Sequence, residues 1–149
     1  MKIEDEIKST FRNEYHKGLV NLVFTAKQLN QQLFKILKSY KITEAQYNIL
    51  RILRGNKSSK AASIGYIKER MLDQNSDVSR IVDKLFTKEY VSRIECPNDR
   101  RQKEIAISEK GLEILAKIDS CENKLDTFLA NLNDDELATL NHLLDKIRD

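Results

Sequence analysis

The sequence predicts a mainly α fold with a small β-hairpin, an α+β arrangement in which long helices flank a compact middle. Three observations carry that prediction. Apolar residues recur at spacings of three and four through most of the 149 residues. Only four glycines and one proline interrupt them, too few for a turn-rich β fold. Between Tyr90 and Ser108 the period changes: "YVSRIE" and "KEIAIS" read as two short strands joined by a turn that holds Pro97, the second alternating with Ile105 and Ile107 on one face.

The first element is the longest. Ile3, Ile7, Phe11, Leu19, Leu22, Val23, Ala26, Leu29, Leu33, Ile36, Leu37 and Tyr40 predict one helical stretch from Ile3 to Tyr40. A small domain cannot cover so long an apolar stripe, so part of it is expected to meet another chain. Thr43 and Gln46 then form a capping box, Ala45, Ile49, Leu50 and Leu53 line one face, and Gly55 ends the helix. "KSSKAAS" reads as a polar loop, and Ile64, Ile67 and Met71 as a short helix. After "DQNS" comes the most amphipathic segment, with Val78, Ile81, Val82, Leu85 and Phe86 inward. Ser76, Arg80, Asp83, Lys84 and Thr87 fall on its outer face. Beyond the hairpin, Ser108 caps a helix carrying Leu112, Leu115 and Ile118 and continuing to Leu125 and Leu129. Asn133 and Glu136 box a last helix with Leu137, Leu140, Leu144 and Ile147.

Charge is distributed unevenly. The net charge is only +3, but from Lys57 to Lys103 there are eleven Lys and Arg against seven Asp and Glu, so the middle third carries the excess. No apolar run approaches the ~20 residues that span a bilayer. The acidic N-terminus lacks a secretory pattern, so a cytoplasmic protein is expected. Cys96 and Cys121 match no metal-ligand spacing and fit reduced thiols. There is no glycine-rich phosphate loop, HExxH or nucleophile elbow, and His16 and His142 lie near opposite ends. An enzyme, a metal site and a cofactor are therefore not expected.

What the middle third does follows from its order: helix, short helix, turn, amphipathic helix, hairpin. That is a helix-turn-helix with a wing. Small polar side chains at Gln74, Asn75, Ser76 and Ser79 let the second helix sit in a major groove, where Arg80 can reach a guanine or a phosphate and Lys84 a phosphate. The helix's N-terminal amides, with Ser76 as the cap hydroxyl, favour a phosphate. At the tip of the wing, Asp99, Arg100 and Arg101 suit an adjacent minor groove, with one arginine inserted and Asp99 holding the other. Double-stranded DNA is the expected partner.

The same residues resemble the MarR family of dimeric bacterial transcription regulators. Its pattern of serine–x–valine–serine/threonine–arginine–x–x–aspartate–basic–leucine is met by Ser76, Val78, Ser79, Arg80, Asp83, Lys84 and Leu85. The wing aspartate and arginines are Asp99, Arg100 and Arg101, and the next helix start is Ser108 with Gly111. The match runs from about Ile42 to Leu115, and it departs from the family at Glu89-Tyr90-Val91, where a glycine-leucine-valine turn is usual. The departure predicts strain or a different turn at the entry to the first wing strand. The resemblance implies a homodimer built from residues 1–40 and 109–149, a DNA-binding domain at 41–108, and a palindromic operator held by a repressor. It also implies release by a small-molecule effector in a cleft, for which Tyr15, His16, Leu19, Tyr47 and Leu50 are the candidates by position. Two other readings share the fold. One is a thiol-based redox regulator using Cys96, whose place beside Arg93 and near Arg100 favours a thiolate. The other is an interaction module without DNA binding.

Overall fold

The structure is a computed structural model that describes residues 1–56, 61–96, 99–120 and 127–149, without the side chains of 95, 96 and 99–102. In chain order its elements are α1 (Ile3–Ile7), α2 (Glu14–Ser39), α3 (Glu44–Gly55), β1 (Ala62–Ser63), α4 (Ile64–Arg70), α5 (Val78–Thr87), β2 (Val91–Cys96), β3 (Asp99–Ile107) and α6 (Glu109–Asp119). A 3-10 turn at Thr127–Leu129 and a last helix, α7 (Asp134–Arg148), complete it. The expected mainly helical architecture with a wing is present.

Several local expectations hold for the reasons that suggested them. The Thr43 hydroxyl accepts from the Gln46 N–H at 3.1 Å while Gln46 Oε1 accepts from the Thr43 N–H at 3.2 Å, closing the box that starts α3. Asn133 and Glu136 do the same for α7. Ile49, Leu50 and Leu53 of α3 meet Ile67 of α4, Val82 and Leu85 of α5, Ile105 of β3 and Leu115 and Ile118 of α6 in one core.

Four expectations need correction. The single helix from Ile3 to Tyr40 is two, because Lys8 turns left-handed at φ 48° and Asn13 starts a new helix by accepting from the His16 N–H at 2.9 Å. The break covers residues 8–13, just ahead of the gap in the apolar stripe between Phe11 and Leu19. α1 returns to α2 through Lys17, whose ammonium lies 2.5 Å from Glu4 and holds that carboxyl below its usual range. Of the segment expected as a polar loop, "KSSKAAS", residues 57–60 lie outside the described residues and Ala62–Ser63 form a strand. β1 pairs antiparallel with β3 (Ala62 opposite Ile105), so β3 is the centre of a three-stranded sheet and not one half of a lone hairpin. α5 is capped by Asp77, which accepts from the Arg80 N–H at 3.2 Å, and not by Ser76. Finally, α6 stops at Asp119 and Leu129 sits in the 3-10 turn; Cys121 and Leu125 lie outside the described residues.

The departure at Glu89 is visible in the backbone. The Tyr90 N–H bonds the Leu85 carbonyl at 3.0 Å and the Glu89 N–H bonds that of Phe86 at 2.9 Å, a Schellman ending to α5 with Glu89 at φ 63°. A β-carbon in that conformation costs about 1–2 kcal/mol. Immediately afterwards the chain is gripped by the residue that follows β3, whose Ile107 lies opposite Val91. The Ser108 N–H donates to the Tyr90 carbonyl at 3.0 Å. The Ser108 hydroxyl donates to the Glu89 carbonyl at 2.6 Å and accepts from the Gly111 N–H at 3.0 Å. α6 therefore starts so close to this turn that a β-carbon on Gly111 would stand 2.3 Å from the Tyr90 oxygen and 2.8 Å from an Ile107 side-chain carbon.

Two substitutions test this turn with opposite signs. Gly111→Ala forces backbone apart and should lower unfolding free energy by about 3 kcal/mol. Glu89→Gly relieves the left-handed strain at the loss of an exposed Lys110 ion pair, and should raise it by about 0.5–1 kcal/mol. Urea unfolding of both variants and the parent at one protein concentration measures the pair.

Candidate nucleic-acid interface

The exposed side of α5 is set by its buried side. Val78, Val82 and Leu85 are sunk in the core, and at 100° per residue that turns Ser79, Arg80, Asp83, Lys84 and Thr87 outward. Ser79, Arg80 and Lys84 are exposed, and the two cations have no ion-pair partner among the described residues. Asp83 is different: it pairs with Arg93 of β2, whose guanidinium also lies 4.6 Å from the centre of the Phe86 ring. Phe86, expected inward on the apolar stripe, is instead 45% exposed, with this guanidinium over its ring. Arg93 is thus a strut between α5 and the wing, and its charge is committed to Asp83.

The turn before α5 is organised by acids that sequence reasoning passed over. The Asp73 carboxylate accepts from the Asn75 N–H at 3.0 Å and its carbonyl accepts from the Ser76 N–H at 3.2 Å, an Asx turn that leaves Gln74 and Asn75 exposed. Ser76 is half-buried, lining a recess with Met71, Leu72 and Asp73, so the structure separates it from the outward face shared by Ser79 and Arg80. Asp77 occupies the amide at the start of α5 with a carboxylate. A phosphate is not favoured at that helix terminus, contrary to expectation. The N-cap preference of aspartate, one residue after the serine, was the available signal.

Beside α5 lies a notch of about 200 Å³ lined by Ser79, Asp83, Arg93 and Lys103 over Ile64, Val82 and Ile105. β2 and β3 extend it into the wing, paired from Val91 opposite Ile107 to Cys96 opposite Asp99, with an irregularity between Glu95 and Cys96. The backbone of Asp99, Arg100 and Arg101 belongs to β3, and their side chains, like that of Cys96, lie outside the described residues.

The five effector candidates are not brought together. Tyr15 and Leu19 are 90% and 62% exposed and line a groove of about 680 Å³ between α2 and α7, with Leu140, Leu143 and Ile147 opposite. Tyr47 and Leu50 are closed into the core. The His16 ring packs edge-on against Phe11 at 5.7 Å and its Nδ1 accepts from the Arg12 N–H at 3.3 Å, a contact that steadies the α1–α2 corner. Among the described residues no cluster of histidine, cysteine and acidic side chains could hold a metal, and no helix is long and apolar enough to cross a membrane.

Comparison with known proteins agrees with this geometry. The model of the MarR family matches residues 42–103, the segment from the start of α3 into β3. The uncharacterised HTH-type transcriptional regulator YpoP of Bacillus subtilis is 31% identical over 124 residues, covering 81% of this chain and 84% of YpoP. The chain is also similar to a cysteine-to-serine mutant of MarR from E. coli in complex with operator DNA. There the TM-score is 0.78 at 25% identity, over 93% of this chain and 99% of that one. The organohalide-sensing regulator RdhR in its 2,4-dichlorophenol-bound form shares the fold, with a TM-score of 0.80 at 18% identity over 96% of this chain and 83% of its own. At 31% identity over four fifths of both chains, the chain belongs to the MarR family of transcription regulators.

Proposed function

We propose that this protein is a sequence-specific repressor that binds duplex DNA as a homodimer on a palindromic operator. The observation that carries the reading is the outer face of α5, where Ser79, Arg80 and Lys84 stand exposed on a helix whose other side is locked into the core. A rigid helix with short and cationic side chains fits a major groove, and the strand pair beside it reaches the adjacent minor groove. In this reading Arg80 contacts base edges, Lys84 a phosphate, and Ser79, Gln74 and Asn75 the flanking backbone. One of Arg100 and Arg101 enters the minor groove while Asp99 steadies the tip.

The dimer is supported by what the single chain leaves uncovered. In the single chain α2 buries Leu37 alone, and α7 buries no residue. Tyr15, Leu19, Val23 and Phe34 of α2, with Leu143 and Ile147 of α7, are all more than half exposed. Helices with this much bare apolar surface are the ends of a subunit interface. Tyr15, Leu19, Leu143 and Ile147 also line the α2–α7 groove, so a small apolar effector held there would lie at the subunit interface and couple ligand binding to the spacing of the two reading heads. The protein acts in the cytoplasm, where operator and effector are both at hand.

Sedimentation equilibrium at micromolar concentration should give twice the 17.3 kDa chain mass; a single species at the chain mass would remove the palindrome with the dimer. Arg80→Ala should weaken specific binding by roughly 1–3 kcal/mol and relax preference at one base pair of each half-site. Lys84→Ala should weaken all duplexes alike and flatten the slope of log affinity against log salt by about one unit. Anisotropy titrations of both variants over a salt series distinguish the two roles, and an interchange of the phenotypes would reassign them.

A further inference from the structure

The last residue capping the reading helix reaches across to the place where the long helix ends. Lys88 is the C-cap of α5, and its ammonium donates to the Lys41 carbonyl at 2.5 Å and to Gln46 Oε1 at 3.3 Å. Lys41 is the left-handed residue, at φ 55°, on which α2 turns into α3. The Ile42 N–H bonds the Leu37 carbonyl at 3.1 Å and the Lys41 N–H bonds that of Lys38 at 3.0 Å, so this elbow is a Schellman ending like the one that follows Lys88 itself. Gln46 is 4% exposed and shares one oxygen between the Thr43 N–H of the capping box and the ammonium. Lys88 therefore places a positive charge at the carbonyl end of a 26-residue helix, where the helix dipole favours it.

The location gives the contact its consequence. The main neighbours of α5 are α3, α4 and β2, all within the reading head. Lys88 ties it also to the Lys41 carbonyl in the elbow just past α2, the helix whose other end is bare for the partner chain. In a dimer held by α2 and α7, the angle between α2 and α5 fixes how far apart, and at what relative rotation, the two reading helices stand. We propose that Lys88 is a positioning residue that sets the half-site spacing the dimer accepts, by pinning the end of the reading helix to the α2–α3 elbow. This rests on the reading of the protein as a dimeric DNA-binding regulator. Loss of the ammonium frees a carbonyl that water can reach, so the fold survives while the angle between arm and head loosens.

The test uses the full chain and the inverted repeat it enriches from a random duplex pool, remade with one base pair added or removed between half-sites. One base pair turns a half-site by about 34–36° and shifts it by about 3.4 Å, a change a stiff elbow cannot follow. Wild type should lose at least about tenfold in affinity on either off-spaced duplex, the scale of one charged hydrogen bond. Lys88→Met should bind the parent repeat within a few-fold of wild type yet lose less than about threefold on the off-spaced duplexes, and Lys88→Arg should restore the sharp optimum. Lys88→Gln, which keeps a shorter neutral donor, serves if the methionine variant does not fold, with the same broadening expected. An unchanged optimum in Lys88→Met, or an equal loss at every spacing, would overturn the inference and leave DNA binding standing. Wild-type protein that binds no duplex in the pool would overturn the DNA-binding reading, and the inference with it.

Discussion

The fold turns on the few ångströms between the Tyr90 carbonyl and Gly111. At that point the reading helix has just ended, the first long wing strand is about to start, the central strand has finished and α6 begins. Ser108 joins all four through its N–H and its hydroxyl, with bonds to Glu89, Tyr90 and Gly111 between 2.6 and 3.0 Å. The closeness is possible only because position 111 has no side chain. Were α6 held farther out, Leu115 and Ile118 would withdraw from the core they share with α3, and the base of the wing would lose its alignment with α5.

Two charged ties build outward from that knot. Arg93 fastens β2 to Asp83 and to the face of Phe86, which ties the base of the wing to the reading helix. On the other side, Arg54 of α3 pairs with Asp119 at the end of α6, and the Tyr40 hydroxyl donates to the Lys117 carbonyl at 3.2 Å. These contacts fasten the reading head to α6 and to the end of the long helix. The reading surface is then an exposed face on a braced scaffold, which is what base readout demands of the side chains it presents.

Much of this was legible in the sequence, and the parts that were not share a physical cause. Capping boxes at Thr43 and Asn133, the stripe of α5 and the alternation of β3 are local signals, each written in residues a few positions apart. The break between α1 and α2 was hidden because it uses Lys8 in a left-handed conformation that sequence normally assigns to glycine, while no glycine in the described chain has positive φ. β1 was hidden because a strand of two residues exists only through its partner. The roles of Asp83, Arg93 and Lys88 depend on contacts 10 and 47 positions apart in the chain, beyond any local pattern. Tyr47 and Leu50 share a helix face with true core residues, and spacing alone did not distinguish a cleft wall from a packed interior. Ser76 lost its capping role to its neighbour Asp77, an offset of one residue that turns it from the outer face toward the recess.

The central claim is that two copies of this chain present two α5 helices to one face of a duplex. It is tested most directly by footprinting the purified protein on the fragments it enriches from a random duplex pool. The account predicts an inverted repeat, with two protected half-sites centred about one helical turn, ~10 bp, apart. Protection of a single half-site, or enrichment of no common sequence, would contradict it.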